Sequence, residues 1–255
     1  MLKHRLIAVV IVRDGQVVQS VNFKHTNVIH YDAIHAIESF NRWCVDEIAL
    51  INVSKSAESK SQFLDVVTHV SKKCFVPLTV GGWIEDFNYG KELLSKGADK
   101  LLLNSAFYLN QELIRELVQT FGSQAVVASL DVVNENGTSL VAIDRATRTL
   151  PFTVKAWAKH CCELGAGEIF FNSVAFDGAR KGYDLVNLKG VCDEVKIPVI
   201  AFGGAFRWKH FVEGFQAGAD AVAAANIFHY TEHSTKHAKR HIFKEGINIR
   251  MEGIS

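Results

Sequence analysis

Two kinds of residue in this chain have the type and spacing for chemistry. The first is a carboxylate at the end of an apolar run: Asp131 stands late in "VVASLDVVNENG" (126–137). A similar run, "RLIAVVIVRDG" (5–15), carries Ile11 at the matching place. The second is a set of turns built from small residues. Gly203-Gly204, Ala225-Asn226 and Asp177-Gly178 lie in the later half of the chain, Gly81-Gly82 and Asn104-Ser105 in the earlier half. Small residues let backbone N–H groups approach an anion, and a helix starting there adds the pull of its dipole. A single Gly-Gly is more simply read as a tight turn. Two such turns in register favour a phosphate cradle in each half, although Trp83 occupies the place that repeats Gly204.

Those turns need a scaffold. Apolar runs at 6–12, 47–53, 77–80, 100–104, 125–133, 168–174, 198–202 and 221–226 alternate with segments of helical period such as "DAIHAIESFNRWC" and "NQELIRELVQTFG". Eight strands alternating with helices over about 250 residues predict an α/β fold, a (β/α)8 TIM barrel spanning 1–255 as one domain, with chemistry at the carboxyl ends of the strands. A doubly wound open sheet is the alternative. An internal repeat favours the barrel. At an offset of 121, Pro77 meets Pro198, Gly82 meets Gly203, Gly97-Ala98-Asp99 meets Gly218-Ala219-Asp220, and Glu47 meets Glu168. At an offset of 120, Val10-Ile11-Val12 meets Leu130-Asp131-Val132. The barrel is thus read as two duplicated half-barrels.

Composition sets the limits. A hydrophobic content of 48% and a net charge of +1 fit a soluble protein that does not bind nucleic acid generally. The five cysteines lack zinc-type spacing and fit a reducing cytoplasm. No leader or membrane span is expected. Histidines 233, 237 and 241 recur every four residues and predict a solvated helical face, not a metal site. His25, His30 and His35 fall in the first loop and the start of its helix. No cofactor is expected.

The motifs "IPVIAFGGA", "VPLTVGG", "TFGSQAVVASLDV", "GAGEIFFNSVAFDGARKGYD", "GADKLLLN" and "INIRMEG" resemble the HisF family, the cyclase subunit of imidazole glycerol phosphate synthase, along essentially the whole chain. The resemblance implies a barrel that docks on a separate HisH-like glutaminase. That barrel takes ammonia along its axis and joins it to a ribulose-phosphate nucleotide with two phosphates. Its two phosphates fit the two cradles read above, Gly82, Asn104 and Ser105 in the earlier half and Asp177, Gly178, Gly203, Gly204, Ala225 and Asn226 in the later half. The resemblance also implies an ammonia gate of Arg5, Glu47, Lys100 and Glu168, and a partner contact at Asp99. The cysteines lack the glycine-flanked setting of a glutaminase nucleophile, so ammonia must come from a partner.

The family's cyclisation resembles paired acid–base work by two carboxylates, one removing a proton while the other delivers one. Asp131 fills the strand-five position, but Ile11 stands where its partner belongs. Gln19 replaces a Lys of the first loop, Asn52 an Asp and Phe202 a Ser, and Trp83 blocks a cradle. Losing one such partner commonly costs about 10²–10⁴ in rate. The expectation is therefore an intact entrance and an altered pocket. HisF-like subunits of this kind are associated with sugar amidotransferases of surface-polysaccharide synthesis, which would receive the ammonia. A working cyclase and a non-enzymatic glutaminase activator are the alternatives. A single-chain sugar-phosphate isomerase on the same doubled barrel is disfavoured because it needs both aspartates.

Overall fold

The computed structural model describes residues 3–21, 23–230, 232–251 and 253. Eight strands form the barrel: Arg5–Arg13, Glu47–Asn52, Leu78–Gly81, Lys100–Leu103, Val126–Glu135, Glu168–Ser173, Val199–Phe202 and Ala221–Ala224. Each pairs in parallel with the next, and strand one closes on strand eight through Arg5↔Ala221 to Ala8↔Ala224. The open-sheet alternative is excluded by that closure.

Period two along the strands produces two cores. Leu6, Ala8, Val10 and Val12 point outward to the helices, while Ile7, Val9 and Ile11 point to the barrel axis. The axial core continues with Ala49, Leu102, Val127, Phe170, Ile200, Phe202, Ala221 and Ala223. Helices start where short polar side chains take up free N–H groups. Asp32 accepts from Ile34, Asp86 from Tyr89, Asn110 from Leu113 and Asp184 from Asn187. The last helix, Ser234–Lys244, is pinned by an ion pair between Lys239 Nζ and Asp46 Oδ1 at 2.6 Å, both side chains 2% exposed.

Three expectations are corrected. The first loop, after strand one, is an antiparallel ribbon of Gln16–Val21 with His25–His30, and a second ribbon, Thr138–Ile143 with Arg148–Thr153, follows strand five. Both begin at two-residue turns, Asp14-Gly15 (φ 49° and 78°) and Asn136-Gly137 (φ 51° and 81°), the left-handed pairs that reverse a twisted strand. His25 and His30 therefore sit on a strand. The last helix begins only at Ser234, and His233 lies outside it with φ 55°, so His237 and His241 alone share its surface. The helix after Ala225 is a single turn, Asn226–His229, too short to supply a useful dipole.

Candidate active site

Inward-facing side chains at the strand starts close a ring across the axis. Arg5 donates from Nη1 to Glu47 Oε1 and from Nη2 to Glu168 Oε1, each at 2.5 Å. Lys100 Nζ reaches Glu47 Oε2 at 3.2 Å and Glu168 Oε2 at 2.9 Å. Each cation thus bridges both carboxylates, and each carboxylate bridges both cations. Glu47 and Glu168 are buried. Burial opposes the charge on Arg5, but Glu168 and Glu47 outweigh it and hold the guanidinium's pKa above its ordinary value. The four groups pair inward with one another across the axis. Beside them, Asp99 accepts the backbone N–H of Leu78 at 2.7 Å, as its repeat mate Asp220 accepts that of Val199 at 2.9 Å. Asp99 thus has a structural job that its position alone did not reveal.

The opposite mouth is different. Asp131 is buried and faces the axis, accepting from Asn172 Nδ2 at 3.1 Å. Burial pushes its carboxyl up to about 7, against the pull of the Asn172 hydrogen bond and with help from the charge of Asp177. A carboxyl with that pKa can give or take a proton near neutrality. Ile11 belongs to the axial apolar core, and Phe202 packs against Phe170 with the rings tilted and their centroids 5.1 Å apart. Asn52 is turned to local structure, donating to Ser59 Oγ and accepting from the Ser54 N–H. Gln19 accepts from the Tyr230 hydroxyl at 2.7 Å.

The later-half turns converge. Asp177, Gly178, Gly203, Gly204, Ala225 and Asn226 line one cleft with Gln19, Arg180, Phe206 and Tyr230. The first ribbon lies over it: Ser20 Oγ donates to Asp177 at 2.7 Å, and a Cβ on Gly178 would lie 2.9 Å from Val21 Cα. Gly203 and Gly204 both have positive φ (95° and 92°), and a Cβ on Gly204 would meet the Gly182 carbonyl at 2.2 Å. The turn is therefore demanded by packing as well as open to a ligand.

The earlier-half residues do not form a comparable cradle. Asn104 Nδ2 is spent on the carbonyls of Ser129 and Ala142. Ser105 Oγ is bonded to Asp144 Oδ1 at 3.3 Å and accepts the Asp144 N–H at 3.0 Å. A Cβ on Gly82 would lie 2.3 Å from the Asn52 carbonyl. Trp83 keeps the left-handed backbone of its repeat mate Gly204 (φ 59°), donates Nε1–H to the Ser54 carbonyl at 2.9 Å, and lies under Arg145. Sequence reasoning missed Arg180, Asn172, Asp144 and Tyr230. The "DGARKGYD" stretch pointed at Arg180, whereas Asp144 needed knowledge of the second ribbon.

Among the described residues no group of three or more His, Cys, Asp or Glu side chains could hold a metal, and no helix is long and apolar enough to cross a membrane.

The family profile described as "Histidine biosynthesis protein" matches residues 5–234. The chain is 36% identical over 254 residues to the imidazole glycerol phosphate synthase subunit HisF of Thermotoga sp. (strain RQ2), covering 100% of both chains. It is 36% identical over 252 residues to the HisF subunit of Pyrococcus furiosus, covering 99% of this chain and 100% of that protein. It is 39% identical over 255 residues to the HisF subunit of Chlorobaculum parvum, covering 98% of this chain and 100% of that one.

Proposed function

The chain belongs to the histidine-biosynthesis protein family as a HisF-type member, and from that premise we propose that it receives ammonia from a separate glutaminase subunit and carries it along the barrel axis towards Asp131. The closed Arg5/Glu47/Lys100/Glu168 ring is the observation that carries this reading. Four charged groups at the foot of an apolar interior are costly to bury and are retained here in full mutual pairing. Arg5 grips with a planar fork, whereas Lys100 makes two single-point contacts on a flexible stem, so Lys100 is the member that swings to admit a small neutral molecule. The thiols of Cys74, Cys161, Cys162 and Cys192 are all pushed up by burial, away from the reactive thiolate, which supports an external source of ammonia.

At the far mouth one carboxylate, Asp131, has no second acid–base group in the Ile11 position. Orthodox cyclisation is therefore lost, and the ammonia serves another acceptor. A sugar amidotransferase of surface-polysaccharide synthesis, working in the cytoplasm, is the acceptor enzyme we favour. The near-neutral pKa of Asp131 favours a second reading, in which the chain is a cyclase working with a single carboxyl.

The experiment mixes purified chain with a cognate glutaminase and follows glutamine hydrolysis. Stimulation is expected, and Lys100→Met should alter its coupling to ammonia delivery. Failure to bind or stimulate any such partner sinks the proposal. A second arm supplies ammonium and the bisphosphorylated ribulose nucleotide: negligible turnover is expected, and robust product establishes the cyclase reading instead.

A further inference from the structure

The two halves of this barrel carry matching small-residue turns, yet the halves treat them differently. In the later half the cleft is open. Its cation, among the described residues that line it, is Arg180. That residue holds a left-handed backbone (φ 61°), a conformation that is strained for a non-glycine residue and recurs where a side chain is held for a ligand. Its guanidinium lies over the Phe206 ring, 4.6 Å from the centroid, which fixes the head group at the rim while leaving its N–H edge for an anion. The loops beneath are joined by the Gly182 N–H donating to the Gly204 carbonyl at 2.9 Å. Two buried oxygens adjoin the cleft without a hydrogen-bond donor: Asn226 Oδ1 in its wall, and Asn172 Oδ1, 3.0 Å from where a Cβ on Gly203 would stand. Buried acceptors of this kind call for partners. Hydroxyl groups on a ligand would provide them.

In the earlier half the equivalent place is taken. Ser105 faces the Asp144 carboxylate, Asn104 is committed to backbone carbonyls, and the Trp83 indole stands where the later half has Gly204. An incoming phosphate would have to displace a carboxylate of its own charge sign from Ser105. The second ribbon holds that carboxylate in place, because residues 144–147 form its reversing turn.

We propose that the ligand of this mouth is a hydroxylated phosphomonoester carrying one phosphate, gripped under Arg180 in the later half, and that Asp144 fills the earlier cradle as an internal anion. The proposal rests on the reading of the Gly203-Gly204 turn as a phosphate cradle. It departs from the two-phosphate ligand that the family resemblance implies.

The test counts inorganic phosphate and ribulose 5-phosphate bound per chain by isothermal titration. One site is expected for each, with the sugar phosphate binding tighter because its hydroxyls reach the two asparagine oxygens. Arg180→Gln should weaken both at least tenfold, since a charge-assisted contact is lost from an exposed rim position that the fold does not need. Asp144→Ala should expose a second phosphate site while leaving the first unchanged. Two sites in the unaltered chain would overturn the inference and leave the cradle reading standing. No site at all would overturn both. One site indifferent to Arg180→Gln would overturn the assignment of the grip.

Discussion

Asp131→Asn is the substitution that most directly probes the buried carboxyl. In the folded chain that group titrates at about 7, against 3.8 for the free side chain. Its folded pKa is raised, so the unfolded chain releases the proton first. Stability from this group is fully present below 3.8 and is lost progressively as pH rises through about 7. Each pH unit in that window costs about 1.4 kcal/mol, or roughly 4 kcal/mol once the folded carboxyl is ionised. Asparagine keeps an oxygen for the Asn172 amide and cannot ionise. The variant should gain on the parent by roughly 2–3 kcal/mol between pH 5 and pH 8. For a chain of this size that is a Tm advantage growing by about 5–10 °C over the interval. Thermal unfolding of both proteins across that range, followed by circular dichroism, reads it directly. A difference that stays flat with pH would mean that Asp131 titrates like an ordinary carboxylate, and the argument from burial would fail.

Arg5→Met leaves Glu47 and Glu168 to share Lys100 and should destabilise the barrel by about 3–5 kcal/mol in chemical denaturation, with much of the loss recovered in the Arg5→Met/Glu168→Gln pair. An additive double variant would refute the ring as a coupled unit. Lys239→Met strips the buried Asp46 carboxylate of its cation and should cost a similar amount, about 3–5 kcal/mol at pH 7. Because burial already raises the Asp46 pKa, that loss should shrink as pH falls and the carboxyl takes up a proton; a pH-independent loss counts against the mechanism. Joint reversion Ile11→Asp and Gln19→Lys should raise turnover of the bisphosphorylated nucleotide by about 10²-fold or more if the rest of the mouth is sound, measured with ammonium as nitrogen source. An unchanged rate would place the fault elsewhere, with Phe202 and Asp144 the first suspects.

The barrel was legible because parallel strands covered on both faces are short apolar runs, and the helices between them keep a clean period. The glycine turns of the later half were legible for a related reason: a doubled pattern is harder to produce by accident than a single one. The ribbons were not read, although the signals were present. Asp14-Gly15 and Asn136-Gly137 are strong hairpin dipeptides, but the strands they return, "QVVQSV" and "TSLVAI", mix polar and apolar residues and pass for loop. Missing the second ribbon hid Asp144, and with it the reason why Ser105 is engaged. Nor could spacing reveal that Asn172 holds Asp131, because the two meet only through the pairing of strands five and six.

The ring at the strand starts also records how the two halves came to depend on each other. Its carboxylates, Glu47 and Glu168, are mates in the repeat, whereas the mates of the cations Arg5 and Lys100 are Ala125 and Ala221. Two copies of the earlier half would bring four cations to two anions, and two copies of the later half two anions with nothing to neutralise them. Only the unlike pair comes out electrically balanced, so an ancestor assembled from identical halves could not have sealed its base in this way. The specialisation that made the halves different also made them inseparable.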